Sequence, residues 1–467
     1  MVPGLLHFFI EQGVGMLQTK LSLAAVLVGV SLLSACGDNT TNIVEKDPIP
    51  VEDDHDHDHD HDHAEAAGRL VVSAKDSNLL AVYDLQDGSL LDTFAVADTP
   101  SALAASASKR YAMVVQRTTD RVEFVDGGLF QENHGDHLHD YQQEPTLSSF
   151  TLTDSRPTHV TTNDSQIAVF FDGNAESGTP AALAVFTDAD ISADSTAYPI
   201  LHYSTHMHGA AQARGEYALS TVRDANSSST LPDKVALYLA HGDHFHEELV
   251  FDELCPGLHG SAQNEHFVSF GCTDGVLLIE QADDNSFTAS KVVNTADFSG
   301  TMRIGSLAGD AAAEHFVGFA GASMFAIHAE DGEMELVDWQ GAEGATVLGY
   351  GFADAGEKFV LLDSQGFLTI LNYHGHAHEV EAEEPAFELL GKVQLTTADV
   401  ATMPEGSQFE LAISASDDKV YVTNPIDSTL LTVDIADAEV AATQQLDFVP
   451  HKLVWLGVAQ PAEAHEH

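Results

Sequence analysis

A repeated unit constrains this chain more than any other feature. Aligning each strand that follows a proline or small residue and precedes a polar turn gives seven instances. They are TPSALAASASKRYAMVVQ (99–116), RPTHVTTNDSQIAVFFD (156–172), THMHGAAQARGEYALSTV (205–222), CPGLHGSAQNEHFVSFGC (255–272), GTMRIGSLAGDAAAEHFVGFAG (300–321), ATVLGYGFADAGEKFVLLD (345–363) and GSQFELAISASDDKVYVTN (406–424). Each reads as strand, polar turn, strand, and the starts lie roughly 45 to 60 residues apart, the length of one four-stranded propeller blade with loop insertions. An eighth copy opens at VPHKLVWLGV (449–458) and runs out of chain after one strand, whereas 69–96 holds three short apolar runs without a first strand. Joining the last strand to the first three closes a ring and removes the edges that a half-built blade would expose. The expectation is an all-β chain with a single β-propeller at 69–460. Eight blades fit best, with seven the fallback because inserts at 100–156 and 345–406 blur the register.

Ahead of the blades, an apolar run from Leu21 to Leu33 follows Lys20 and ends in small residues. It is too short to span a bilayer and has the order of an export signal. Leu33-Ser34-Ala35-Cys36 resembles the bacterial lipobox, which implies lipidation at Cys36 and a membrane association made only through that anchor. Met16 begins a better-formed signal than Met1 and is the expected start. Residues 1–36 are thus assigned to the signal, and 37–68, with no apolar periodicity, to a disordered tether. Residues 461–467 form a polar C-terminal tail. Cys255 and Cys272 remain, 17 positions apart. An oxidising compartment favours a disulfide between them, with thiolate metal ligation as the alternative in spite of the missing CxxC spacing.

Charge narrows the partners. Asp and Glu number 73 against 18 Lys and Arg, a formal charge of −55, which excludes a nucleic-acid partner because phosphates are bound by cationic side chains. Cations are the natural ligands, and the 26 histidines are clustered. In HDHDHDHDH, His55, His57, His59, His61 and His63 alternate with aspartate. In an extended chain alternate side chains share one side, so neighbouring imidazoles can chelate one ion. Imidazole and carboxylate suit Zn²⁺, and Cu²⁺ or Ni²⁺ would bind the same run in vitro.

Three further clusters follow β-rich stretches: HGDHLHD (134–140), with His134, Asp136, His137 and His139; HGDHFHEE (241–248), with His241, His244 and His246; and HGHAHE (374–379). They read as inter-strand loops carrying metal ligands. A separate set lies just inside the first strand of several repeats: His159, His208, His259 and His451, with Arg303 at the equivalent place and His206 two positions before His208. Innermost strands line a propeller's channel, so such residues meet there although distant in sequence. His266 and His315, each in Glu-His-Phe, read as structural or exposed.

The strand texture, including YVTN at 421–424, resembles bacterial periplasmic propellers. The whole constellation, with HDHDHDHDH at 55–63, HGDHLH at 134–139, RPTHV at 156–160 and HMHG at 206–209, resembles the AztD family of periplasmic zinc metallochaperones. The resemblance implies a chain that accepts Zn²⁺ and passes it to the solute-binding protein of a zinc ABC importer. It implies His134, His137, His139, His159, His208 and His259 as the strongest ligand candidates. Cys36 departs from it, because the family resemblance implies a freely diffusing protein; a long tether would have to supply the reach. The expected mechanism is a non-enzymatic relay from a mobile tail to a preformed site on the propeller. Two other readings compete. One is a metal-dependent hydrolase or lactonase, although no Ser-His-Asp or Gly-x-Ser-x-Gly pattern is present. The other is an interaction lipoprotein with a structural metal.

Overall fold

The structure, a computed structural model, describes residues 68–133, 138–163, 165–298, 302–375 and 385–459, together with the backbone of Val44–Glu45. Within these residues the strands fall into eight four-stranded blades. In chain order blade 1 is 69–95, and the others are 102–152, 157–202, 211–250, 261–293, 306–337, 347–394 and 410–445. Blade 1 lacks an inner strand of its own until Pro450–Leu456 adds to Arg69–Ala74, with Val71 opposite Val454 and Leu70 opposite Trp455. Thus the Pro450–Leu456 strand completes the first blade and closes the ring, as the split eighth repeat predicts.

The burial of each strand follows from its place in the blade. Second strands such as Tyr111–Gln116, Ile167–Phe171 and Phe267–Gly271 are buried at every position, because successive side chains point to opposite faces and each face meets a neighbouring blade. Tyr111 and Met113 pack with Ile167 and Phe186 of blade 3, while the alternate residues Ala112 and Val114 pack with Leu80 and Val82 of blade 1. One such apolar cluster lies at each of the eight blade junctions. Outer strands such as Glu439–Gln445 are nearly all exposed, and inner strands such as Ala102–Ala105 and Pro157–Thr162 are half-buried along the channel.

Two features bear on the site. Blades 3 and 4 merge into one eight-stranded sheet through a parallel contact, Ile200 opposite His244. Blade 2 carries an extra hairpin, Leu129–Asn133 with Leu138–Gln142, between its third and fourth strands. The free edge of that hairpin pairs with Val44–Glu45.

Candidate metal site

His159, His208 and His259 come from three consecutive blades, and their ligand atoms lie within 4.8 Å of one another. Nε2 of His208 is 3.4 Å from Nε2 of His159 and 2.9 Å from Nε2 of His259. Two imidazole nitrogens on one tetrahedral Zn²⁺, at bonds of about 2.0–2.1 Å, stand roughly 3.3 Å apart. The donor set fits that ion with movements below an ångström for the two measured pairs.

Local sequence explains each placement. Arg156 has a left-handed backbone, with φ 59°, and the register slips between Pro157 and His159 as they pair with Phe171 and Phe170. A bulge of this kind re-aims the following side chain, here His159. Gly209 follows His208 because a Cβ there would stand 2.4 Å from Thr221 Oγ1 and 2.5 Å from the Phe170 ring. Gly260 follows His259 at φ 74°, a conformation that favours glycine. The Cys255–Cys272 disulfide closes the segment that carries His259, and the His259 amide donates to the Gly271 carbonyl. Along the channel, Thr161 donates to the Ala211 carbonyl and Gln212 to Ser261, tying the three inner strands together.

The outer nitrogens are engaged. His208 Nδ1 donates to Asp172 Oδ2 at 3.0 Å, and His259 Nδ1 donates to the Gly305 carbonyl at 2.6 Å. These bonds select the tautomer that leaves Nε2 as a lone-pair donor. Asp172 is buried and also accepts from Arg117 Nη2 at 2.8 Å, while Arg117 Nε donates to Thr158. Burial alone would raise the Asp172 pKa, but the bonds from His208 and Arg117 hold it below the usual carboxylate range. His159 is pushed down to about 4, first by burial and then by the neighbouring His208 and His259. Burial lowers His259 as well, with the Gly305 carbonyl working against it and Arg303 with it. His159 and His259 are thus held toward the neutral, metal-binding form.

Other expected ligands do not join this group. His206 precedes the inner strand, and its carbonyl accepts from Arg223. His451 lies on the inner strand of blade 1, two junctions around the ring from blade 3, with Lys452, Glu410 and Lys75 as its charged neighbours. Arg303 donates to the Gly257 carbonyl and borders His259.

The described parts of the loop clusters lie toward the other end of the propeller. Strands alternate in direction within a blade, so the start of a first strand and the end of a third strand lie at opposite ends. In blade 4, Ala211 pairs with Ser220, whereas Tyr217 pairs with Leu239 near the end of the third strand. His241, His244 and His246 are therefore remote from the trio, as is His374 at the end of the third strand of blade 7. His139 lies in the blade 2 hairpin. His134, Asp136 and His137, the tail histidines from His55 to His63, Cys36 and the 461–467 segment lie outside the described residues.

Sequence reasoning missed Asp172, Arg117 and the Gly305 carbonyl as outer partners, for no spacing rule links them to the histidines. It reads His315 as structural or exposed and does not name its partners. His315 Nε2 in fact lies 2.7 Å from His328 Nδ1, and its Nδ1 is 2.7 Å from the Tyr373 hydroxyl. The cross-strand pairing of His315 with His328 was the signal available, once the register of blade 6 is known.

No protein-family model matches the chain. A zinc chaperone, AztD of Citrobacter koseri, is 24% identical over 406 residues, covering 86% of this chain and 89% of the relative. The crystal structure of Citrobacter koseri AztD superposes with a TM-score of 0.70 at 20% identity, covering 86% of this chain and all (100%) of that one. Its apo form gives 0.69 at 20% identity, with 85% and 99% covered. In sequence and in fold, over most of its length, the chain is AztD-like.

Proposed function

We propose that this protein is a periplasmic zinc metallochaperone, non-enzymatic, which binds Zn²⁺ at His159, His208 and His259 and hands it to the solute-binding protein of a zinc ABC importer. One observation carries the reading: three imidazoles from three blades aim Nε2 at one point, two of them with Nδ1 already engaged. Such a site is built before the metal arrives, so little ordering entropy is lost on binding. Three protein ligands leave the fourth tetrahedral position to water or to an incoming partner ligand, the opening through which metal is exchanged. The similarity to a zinc chaperone supports Zn²⁺ as cargo.

The histidine–aspartate tail at 55–63 supplies capture, and Cys36 a lipid anchor. His139 on the blade 2 hairpin, with His134, Asp136 and His137 of the same sequence cluster, supplies a further station. The tail's alternating ligands bind several ions weakly and with fast exchange, and the channel trio holds one tightly. Deleting 53–63 should slow loading from dilute Zn²⁺ while leaving the tightest dissociation constant nearly unchanged. Loss of tight binding on that deletion would refute the relay. A stopped-flow transfer assay to the importer's solute-binding protein, with a zinc-responsive dye as trap, tests the hand-off: transfer should depend on the acceptor's concentration, and transfer no faster than spontaneous release would contradict it.

A further inference from the structure

The third-to-fourth strand turn of blade 4 carries a second histidine group. His241 pairs across the hairpin with His244, and His246 pairs with Leu239. Directly paired and alternate residues share a face of a sheet, so the three imidazoles project on one side. All three residues are exposed. The ring centroids of His241 and His246 are 4.8 Å apart, those of His244 and His246 5.0 Å, and those of His241 and His244 6.3 Å. His244 Nδ1 lies 3.0 Å from the Asp243 carboxylate, and its Nε2 lies 3.3 Å from Nε2 of His246. That separation is about the value two imidazoles adopt on one tetrahedral Zn²⁺.

The seam between blades adds a fourth residue. Ile200 of blade 3 stands opposite His244 in parallel register, and the Ile200 amide donates to the Asp243 carbonyl. Two residues on, exposed His202 has the same facing as Ile200, hence the same facing as His244 and His246. The seam thereby gathers four histidines on one face, with the acidic side chains of Asp243, Glu247 and Glu248 in the same short segment.

We propose that His241, His244 and His246, joined by His202, form a second Zn²⁺ site at the end of the propeller opposite the channel trio. The third strand of blade 4 has 8 residues, a length of roughly 24 Å at ~3.4 Å per residue, so the two sites are separate. The channel trio is half-buried and braced by Asp172 and Gly305. The seam site is open to solvent and takes up and releases Zn²⁺ faster and more weakly. It is carried by its own geometry and does not depend on the function assigned to the trio.

The test is a Zn²⁺ titration of the full chain against a competing chelator, with anomalous scattering at the zinc edge to locate the ions. The double variant H244A/H246A should bind one equivalent fewer, keep the tightest dissociation constant, and lose a density peak at the seam. H159A/H208A should lose the tightest equivalent and retain the seam peak. H202A should weaken the seam equivalent by at least about tenfold, the lower end of the loss seen even for an outer partner of a ligand; unchanged affinity would remove His202 from the site. An unaltered stoichiometry in H244A/H246A, or no seam peak in zinc-loaded wild type, would overturn the proposal. Unaltered tight binding in H159A/H208A would instead refute the channel assignment and leave the seam site standing.

Discussion

His208 donates its Nδ1 proton to Asp172 at 3.0 Å across the junction of blades 3 and 4. That bond decides which nitrogen of His208 faces the channel. Arg117, from blade 2, completes the line by holding the same carboxylate oxygen at 2.8 Å. A carboxylate behind an imidazole fixes the ring and raises its basicity toward a metal. Asp172→Asn should therefore weaken zinc binding by about 10–100-fold while leaving the fold intact. Competition titration and circular dichroism check this; unchanged affinity would show that Asp172 does not orient the site.

The disulfide should act on stability and on the site together. A loop of 17 residues is worth about 3 kcal/mol in the chain-entropy model. The double substitution Cys255→Ser with Cys272→Ser should lower the denaturation midpoint accordingly. It should also weaken zinc binding, since His259 lies within the closed loop. Chemical denaturation and titration of the same sample measure both effects.

The metal-free protein should lose stability as pH falls. His159 is held near 4 in the fold against about 6.5 in the unfolded chain. Between these values the unfolded chain binds more protons, so stability declines as pH drops from about 6.5 toward 4, by at most about 1.4 kcal/mol per pH unit from this group. His159→Gln should flatten that part of the profile. An unchanged slope would place the titrating group elsewhere.

Removing metal should not unfold the protein. Apolar clusters fill every blade junction, and the Pro450–Leu456 strand closes the ring; these do not use the histidines as struts. Chelator-stripped protein should retain its β-sheet circular dichroism and regain Zn²⁺ reversibly. Zinc should raise the melting temperature only by the linkage expected from its affinity. Collapse on chelation would favour a structural metal.

The ring was legible because its signal is periodic. The split blade could be inferred from one strand left over at the C-terminus and three without a partner at 69–96, and Val71 opposite Val454 is the pairing that results. The trio was legible for the same reason: His159, His208 and His259 sit at one repeat position in consecutive blades. His451 shares that position, yet it lies on blade 1, four junctions from His259 on blade 5 and outside the run of consecutive blades 3 to 5 that brings the trio together. What the pattern could not carry are contacts outside the repeat. Arg117 and Asp172 are 55 positions apart, and meet only because blade 2 packs on blade 3. The pairing of His315 with His328 required a strand register that apolar alternation leaves open by two residues.

The most direct measurement is a chelator-competition titration comparing the protein lacking 53–63 with the same protein carrying His159→Ala. The truncated protein should keep the tight zinc equivalent, and His159→Ala should weaken it by more than the ~100-fold upper range for loss of a supporting contact. If His159→Ala leaves that equivalent unchanged, the channel trio is not the zinc site.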